Sequence, residues 1–350
     1  MTPKMFTRLT VTALGSLLLA AVVHTRADSW SSGGATGLKL LPTLQRDMSR
    51  LSTITIKQGT QSITLERKGE AWSVKDRGGY PVQGERVRAL LLRLADAELV
   101  DRKTRNPDRF AMLELADIGG AEAKSRLLAL ADDKARPLAE LLIGKRSVEQ
   151  FAAGKGGTYI RKPGDRETWL VNAEIDINPA VNTWVDTTVF EAQIAQVKRV
   201  EVDLGGAERV IIDREAGKPA GKDAYKLAGM PEGKKLKSEY TLEDLVNAFA
   251  RVELEDVRKP VPPAAGATVP VSAVYETENG AKITMRVRSD GDARWAIIEA
   301  TGAESDAKTA ADAVNKRTAG WEFRLPGWKY DQIYKKQNDL IEDEKKDEKK

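Results

Sequence analysis

The chain has 350 residues, 41% hydrophobic and 31% charged, which is globular composition with length enough for two domains. Its 56 basic and 52 acidic side chains leave a net charge of +4, too small an excess to argue for nucleic acid as a partner. Cysteine is absent and the one histidine is His24, so everything downstream of it lacks serine–histidine and cysteine–histidine nucleophile pairs, His/Cys zinc ligation, and haem or iron–sulfur ligation.

Lys4 and Arg8 precede residues 9–23, which carry no charge. A basic start before an apolar run is what the secretory machinery recognises, and it favours a cytoplasmic N-terminus with an exported body. Thr25-Arg26-Ala27 puts small residues where a signal peptidase inspects the chain. Two outcomes stay open: a retained anchor in the inner membrane with a periplasmic body, or cleavage before Asp28. Residues 1–27 are therefore read as signal anchor or signal peptide, and 28–50 as a linker whose Ser/Gly-rich start, with Trp30, is flexible.

From residue 51 the pattern is periodic. Strands are expected at 53–56, 63–67 and 72–74, a turn at Gly78-Gly79, and an amphipathic helix over 85–99. The same order returns as strands at 200–203, 210–214 and 225–227 and a helix over 242–254. Val87, Leu90, Leu91 and Leu94 answer Leu242, Leu245, Val246 and Phe249 at the i, i+3, i+4, i+7 spacing of one apolar stripe. Ala95 aligns with Ala250, and Glu98-Leu99 with Glu253-Leu254, so an internal repeat is expected.

After the first helix, Asn106-Pro107 breaks the chain and 108–115 reads as a short helix. Strands at 126–130, 139–143, 158–161 and 168–171 are separated by turn-forming residues and form an antiparallel meander, closed by a helical turn near 179–185. In the second half, Thr241 and Asp244 have capping-box spacing. Residues 259–263 form an extended Pro-rich connector, and Asn279-Gly280 and Asp290-Gly291 turn a second meander over 271–276, 281–288 and 294–299. A helix at 306–318, a strand at 320–323 and a last short helix precede a charged tail.

Groupings that could carry chemistry were weighed against plainer readings. Gly144-Lys145-Arg146-Ser147 lacks the glycine a phosphate loop needs five places earlier, where Ala139 stands, and reads as a hairpin bend; Gly154-Lys155-Gly156-Gly157 fails likewise. Asp132-Asp133 reads as a solvated turn, and Glu174 with Asp176 as a paired-acid site only in principle. The tryptophans at 72, 169, 184, 295, 321 and 328 could form a sugar-stacking platform, but aromatic residues in alternating strands are more often core. Trp72 and Trp169 fit the core reading well, and Trp321 and Trp328 are the better interface candidates. Lysines 218, 222, 226, 234, 235 and 237 could meet anionic lipid or an acidic partner, although such loops are usually solvated.

A basic-then-apolar leader, a strand ending in Leu65-Glu66-Arg67, the strand Trp72-Ser73-Val74 and a helix reading Leu90-Leu91-Leu92-Arg93-Leu94-Ala95 resemble the domain-of-unknown-function 4340 family, from about Leu51 to Tyr334. The resemblance implies a bacterial envelope protein with one N-terminal anchor, similar to proteins encoded beside gliding-motility-type ABC transporter components. It carries over no activity and no site residue.

The expected fold is α+β: two tandem related units at 51–190 and 191–334, each an antiparallel sheet with a packed amphipathic helix, behind the leader and ahead of a disordered tail at 335–350. The expected role is that of a non-enzymatic, membrane-tethered periplasmic accessory of an ABC-transporter-type complex, touching permease or auxiliary subunits. The alternative is a periplasmic glycan- or lipid-binding module. No catalytic residue, metal ligand or cofactor is assigned.

Overall fold

A computed structural model describes residues 36–344 apart from 120–122, 152–154, 193–195, 207, 216, 219–223 and 263–269. The leader, Trp30, Gly154, Lys222 and the end of the tail lie outside the described residues.

The chain forms α1 (Leu44–Asp47), β1 (Leu51–Gln58), β2 (Gln61–Lys68), β3 (Ala71–Val74), β4 (Tyr80–Pro81), α2 (Gly84–Asp96), β5 (Leu99–Arg102), β6 (Arg126–Asp132), β7 (Pro137–Phe151), β8 (Lys155–Arg161) and β9 (Thr168–Val171). There follow β10 (Thr188–Glu191), β11 (Val197–Asp203), β12 (Arg209–Arg214), β13 (Tyr225–Leu227), β14 (Lys234–Leu236), α3 (Thr241–Ala250), β15 (Arg251–Glu253) and β16 (Asp256–Arg258). The last are β17 (Val271–Thr277), β18 (Lys282–Asp290), β19 (Ala293–Thr301), α4 (Ser305–Thr318), β20 (Glu322–Leu325), α5 (Gly327–Ile333), α6 (Gln337–Leu340) and β21 (Ile341–Asp343). Antiparallel sheets with several helices make the fold α+β. By contacts the chain divides into two compact units: residues up to Ser73 with Gln83–Pro179, and Val74–Val82 with the chain from Ala180.

In the first unit the strands run β3-β2-β1-β6-β7-β8-β9-β5; in the second they run β13-β12-β11-β17-β18-β19-β20-β16. The two orders are the same, strand for strand. Registers agree as well. Ile54 faces Leu65 and Leu130, and Ile56 faces Ile63 and Leu128. In the second unit Val200 faces Ile212 and Tyr275, and Val202 faces Val210 and Ala273. Alternation puts these branched and aromatic side chains on one face of each sheet, where all of them are buried.

Both helical stripes are buried as their spacing requires: Val87, Leu90, Leu91 and Leu94 in α2, and Leu242, Leu245, Val246 and Phe249 in α3. Phe249 stacks on Tyr275 of β17 with ring centroids 5.6 Å apart, which seats α3 on its own sheet.

Both helices end earlier than periodicity alone indicates, because the residues expected in their last turn are taken into β pairing. Leu99 N–H donates to the Leu38 carbonyl at 2.9 Å, and Leu40 N–H donates to Ala97 at 2.8 Å. The second unit repeats this: Leu254 N–H donates to the Thr187 carbonyl at 2.9 Å, and β10 pairs with β15. The repeat therefore opens near residue 37 and again near 187, ahead of the expected starts at 51 and 191. Residues 36–50 are correspondingly not a linker, since Leu40 and Leu44 are buried.

Other expectations are corrected. Thr241 and Asp244 form no capping box: Tyr240 caps α3, and the Thr241 hydroxyl accepts from Ser238 N–H instead. Residues 108–115 form two 3₁₀ turns, Pro107–Arg109 and Ala111–Leu113, ended by Glu114 at φ +58°. The tail is ordered further than expected: Leu340 and Ile341 are buried and β21 pairs with β14. One difference separates the units. Residues 162–167 join β8 to β9 as a tight hairpin, whereas α4 joins β19 to β20.

Candidate functional site

Among the described residues, Asp132, Glu174, Asp176 and four of the lysines are engaged by their own neighbours. Asp132 is 2% exposed, not solvated. Its carboxylate accepts from Arg136 Nε at 2.7 Å and from the backbone N–H groups of Lys134 and Arg136 at 3.0 and 2.9 Å. The Arg136 guanidinium, aided by those amides, holds the carboxyl well below the usual carboxylate range. Asp132 thus ties the β6–β7 turn together, while Asp133 is exposed.

Glu174 and Asp176 flank buried Ile175 and share the exposed side of their segment. Arg146 reaches both, at 3.5 and 3.0 Å, and Glu174 also accepts from Gly156 N–H at 3.2 Å. Arg126 also reaches Asp176, at 3.7 Å, so the two carboxylates cross-link their segment to β6 and β7.

Gly144 to Ser147 lie within β7, not at a bend. A Cβ on Gly144 would come within 2.2 Å of the Leu113 carbonyl oxygen, so the glycine is there to let the 3₁₀ segment cross the strand. In the lysine group, Lys218 and Lys226 ion-pair with Glu215, Lys234 with Asp343 and Lys235 with Glu342. Among the described residues no cluster of three or more His, Asp or Glu side chains is arranged to hold a metal.

Among the described residues, two charged groups are buried in the second unit. Glu322, 1% exposed, accepts from Arg258 Nε at 2.8 Å and Arg288 Nη2 at 2.5 Å, while Arg258 lies 3.8 Å above the Trp295 ring. Lys329 is buried and donates to the Ala248 carbonyl at 3.2 Å, with burial pulling its ammonium below the usual lysine value.

The tryptophans divide differently from the sequence reading. Trp184 and Trp295 are core, but Trp72 and Trp169 are only half-buried. Each of these two lines a cleft of the first unit. The smaller, about 200 Å³, lies beside Trp72, Val87, Leu91 and Leu92. The larger, about 560 Å³, is walled by Gly37, Leu38, Lys39, Leu40 and Pro42, floored by Leu99, Ile160 and Trp169, and rimmed by Lys162, Asp165 and Glu167. Its volume falls within the ~300–1,000 Å³ of ordinary binding clefts. Trp328 is exposed at 55%, as an interface candidate would be, while Trp321 is half-covered by Tyr80 and the Lys259 ammonium.

The floor of the large cleft is set by the ladder: Ile160 of β8 faces Trp169 of β9, and Arg102 of β5 lies 5.0 Å from the indole ring. Glu167 on the rim is paired with Arg102 and Arg105 at 3.7 and 3.3 Å, and Lys39 with Glu98 at 3.0 Å. This cleft is the candidate site. Sequence reasoning missed it because its wall falls in the stretch read as linker. The available signal was Leu38, Leu40 and Leu41, a denser apolar group than a free linker needs.

No curated protein and no solved structure matches the chain. Residues 72–270, more than half of it, match a family model that spans α2, α3 and the strands from β4 to β16; the chain belongs to the family described as Domain of unknown function (DUF4340).

Proposed function

We propose that the chain is a membrane-tethered envelope protein that works through its surfaces, as a non-enzymatic accessory of an ABC-transporter-type complex. In this reading two tandem copies of one α+β unit stand in the periplasm behind a retained leader. The carrying observation is the charge pattern of residues 1–27, Lys4 and Arg8 followed by the uncharged run 9–23. The pairing of Asp132, Glu174, Asp176 and Glu322 with arginines supports a role in holding shape, since a carboxylate clamped by guanidinium is a poor base. Among the described residues no helix is long and apolar enough to cross a membrane, so the tether in this proposal is the leader alone.

The test is fractionation of cells expressing the chain, with the N-terminal mass of the mature protein and recovery of crosslinked partners. A chain that resists alkaline extraction, keeps residues 1–27 and brings down permease or auxiliary subunits is the expected result. A chain that begins at Asp28 and washes off the membrane contradicts it. A second reading, a glycan- or lipid-binding module, is favoured by the half-exposed indole of Trp169 in the large cleft, because sugars stack on such faces. Fluorescence titration with envelope glycans and lipids checks it.

A further inference from the structure

We propose that the large cleft of the first unit is the seat of an α-helix supplied by another polypeptide. The second unit carries the argument, because it contains the same framework with a helix already in place.

The correspondence can be followed residue by residue. Leu99 receives the backbone of Leu38 as Leu254 receives that of Thr187. Ile160 faces Trp169 across β8–β9, as Ala296 faces Phe323 across β19–β20. The cleft in the first unit is made of the segment at 37–42, the start of β5, and β8 with β9. Their counterparts are β10, Leu254, and β19 with β20.

In the second unit this place is filled by α4 over β10 and β19, while Phe323 of β20 is met by Tyr80. Helix α4 leaves the chain where the first unit has its hairpin at 162–167, and it packs on β19 and β10. The Asn315 side chain exchanges two hydrogen bonds of 2.8 Å with the backbone of Ala300 in β19, and Arg317 is ion-paired with Asp186 beside β10. Ala307 and Ala311 are its buried small residues. Nothing within the described first unit takes that position, and Leu38 is left 56% exposed.

The chemistry of the occupant follows. Ile160 stands where β19, the strand beneath α4, has the smaller Ala296, so a guest helix must approach with small residues on its inner stripe. Lys39 and Glu167 are already paired, whereas Lys162 and Asp165 stand on the rim in no ion pair among the described residues. The flanks of the guest therefore carry charges of both signs. A second copy of this chain does not supply it from α4, which is engaged in its own seat. The cleft wall also lies where the chain arrives from outside the described residues. Residues 28–36 reach at most about 30 Å when extended, so under the tethered reading the guest is a helix at the membrane face of the complex. Only that location rests on the proposed function.

The experiment uses the full chain in its own membranes, with a photo-reactive residue placed singly at Leu38, Pro42 or Lys162, and at fully exposed Val148 as the control. Adducts are mapped by mass spectrometry. The expected result is that the three cleft positions label one protein segment at i, i+3, i+4 and i+7 spacing, with small residues on the labelled stripe, and that Val148 does not. Leu38→Asp in the chain labelled at Lys162 should lower the yield about ten-fold, because it sets a carboxylate against the apolar stripe. Adducts on lipid or glycan only, protein adducts without helical spacing, the same adducts from Val148, or none at all would each overturn the proposal. A leader found to be removed would end the tethered reading and leave this labelling pattern to be scored independently.

Discussion

Asp132 illustrates how much one side chain can organise. Its folded value lies below the ordinary carboxylate value, so its contribution to stability is present in full above about pH 4 and is lost as pH falls through the lower folded value. Asp132→Asn should lower the melting temperature at pH 7, and the gap to the parent should narrow on acidification below pH 4; parallel thermal melts at the two pH values measure this. Gly144→Ala forces a Cβ into the Leu113 carbonyl and should cost about 1–3 kcal/mol in urea denaturation. Neither role was legible beforehand. A solvated Asp-Asp turn and a Gly-Lys-Arg-Ser bend look alike in sequence whether or not an arginine four residues on folds back, or a distant carbonyl crosses the strand. Both residues are fixed by contacts outside their own segment.

At the scale of elements, periodicity was a sound guide wherever one face is buried. The stripes of α2 and α3 are buried at all four positions, and covering four large side chains contributes about 6–12 kcal/mol gross per helix. Val246 is fully buried, so Val246→Asp should abolish cooperative unfolding of the second unit, followed by circular dichroism against urea. Tyr275 tests the same interface more gently. It stacks on Phe249, and its hydroxyl is buried without a hydrogen-bond partner among the described residues. Tyr275→Phe removes an unpaired polar group and should raise stability by about 1 kcal/mol in the same denaturation assay. Helix ends were not legible, because Glu98 and Glu253 are good helix formers drawn into β pairing by strands that precede them. The candidate cleft was hidden for the same reason: its wall becomes a wall only when residues 37–40 find β5.

For the whole molecule, the repeat was legible from two helices and three strands, and the matching strand orders extend it to eight corresponding strands in each unit. What could not be read was the exchange of a piece of chain. Val74–Val82 lies within the first repeat in sequence but belongs by contacts to the second unit. There Arg77 makes a two-pronged bond to Asp256 at 2.7 and 3.0 Å, and Tyr80 meets Trp321 edge-on at 5.0 Å. Tyr80→Ala should therefore destabilise the second unit, by about 0.5–1.5 kcal/mol for the aromatic contact plus its share of lost burial. Amide exchange should place the loss of protection in β20, the strand of Phe323, which Tyr80 also touches. Short segments without periodicity, such as this one, carry no mark of which core they join.

The backbone stitching of residues 37–40 to 97–99 has a mechanical side. A pull applied through the residues ahead of Gly37 enters the body by way of the hydrogen bonds from Gly37 to Leu99, Leu99 to Leu38 and Leu40 to Ala97. Those bonds can be unzipped one at a time, before the interior of the sheet bears load, and unzipping them strips away one side of the groove. Tension on the N-terminal end and occupancy of the groove are consequently opposed. In a single-molecule stretching trace this would register as a small low-force extension ahead of the main rupture, shifted to higher force when the groove is filled.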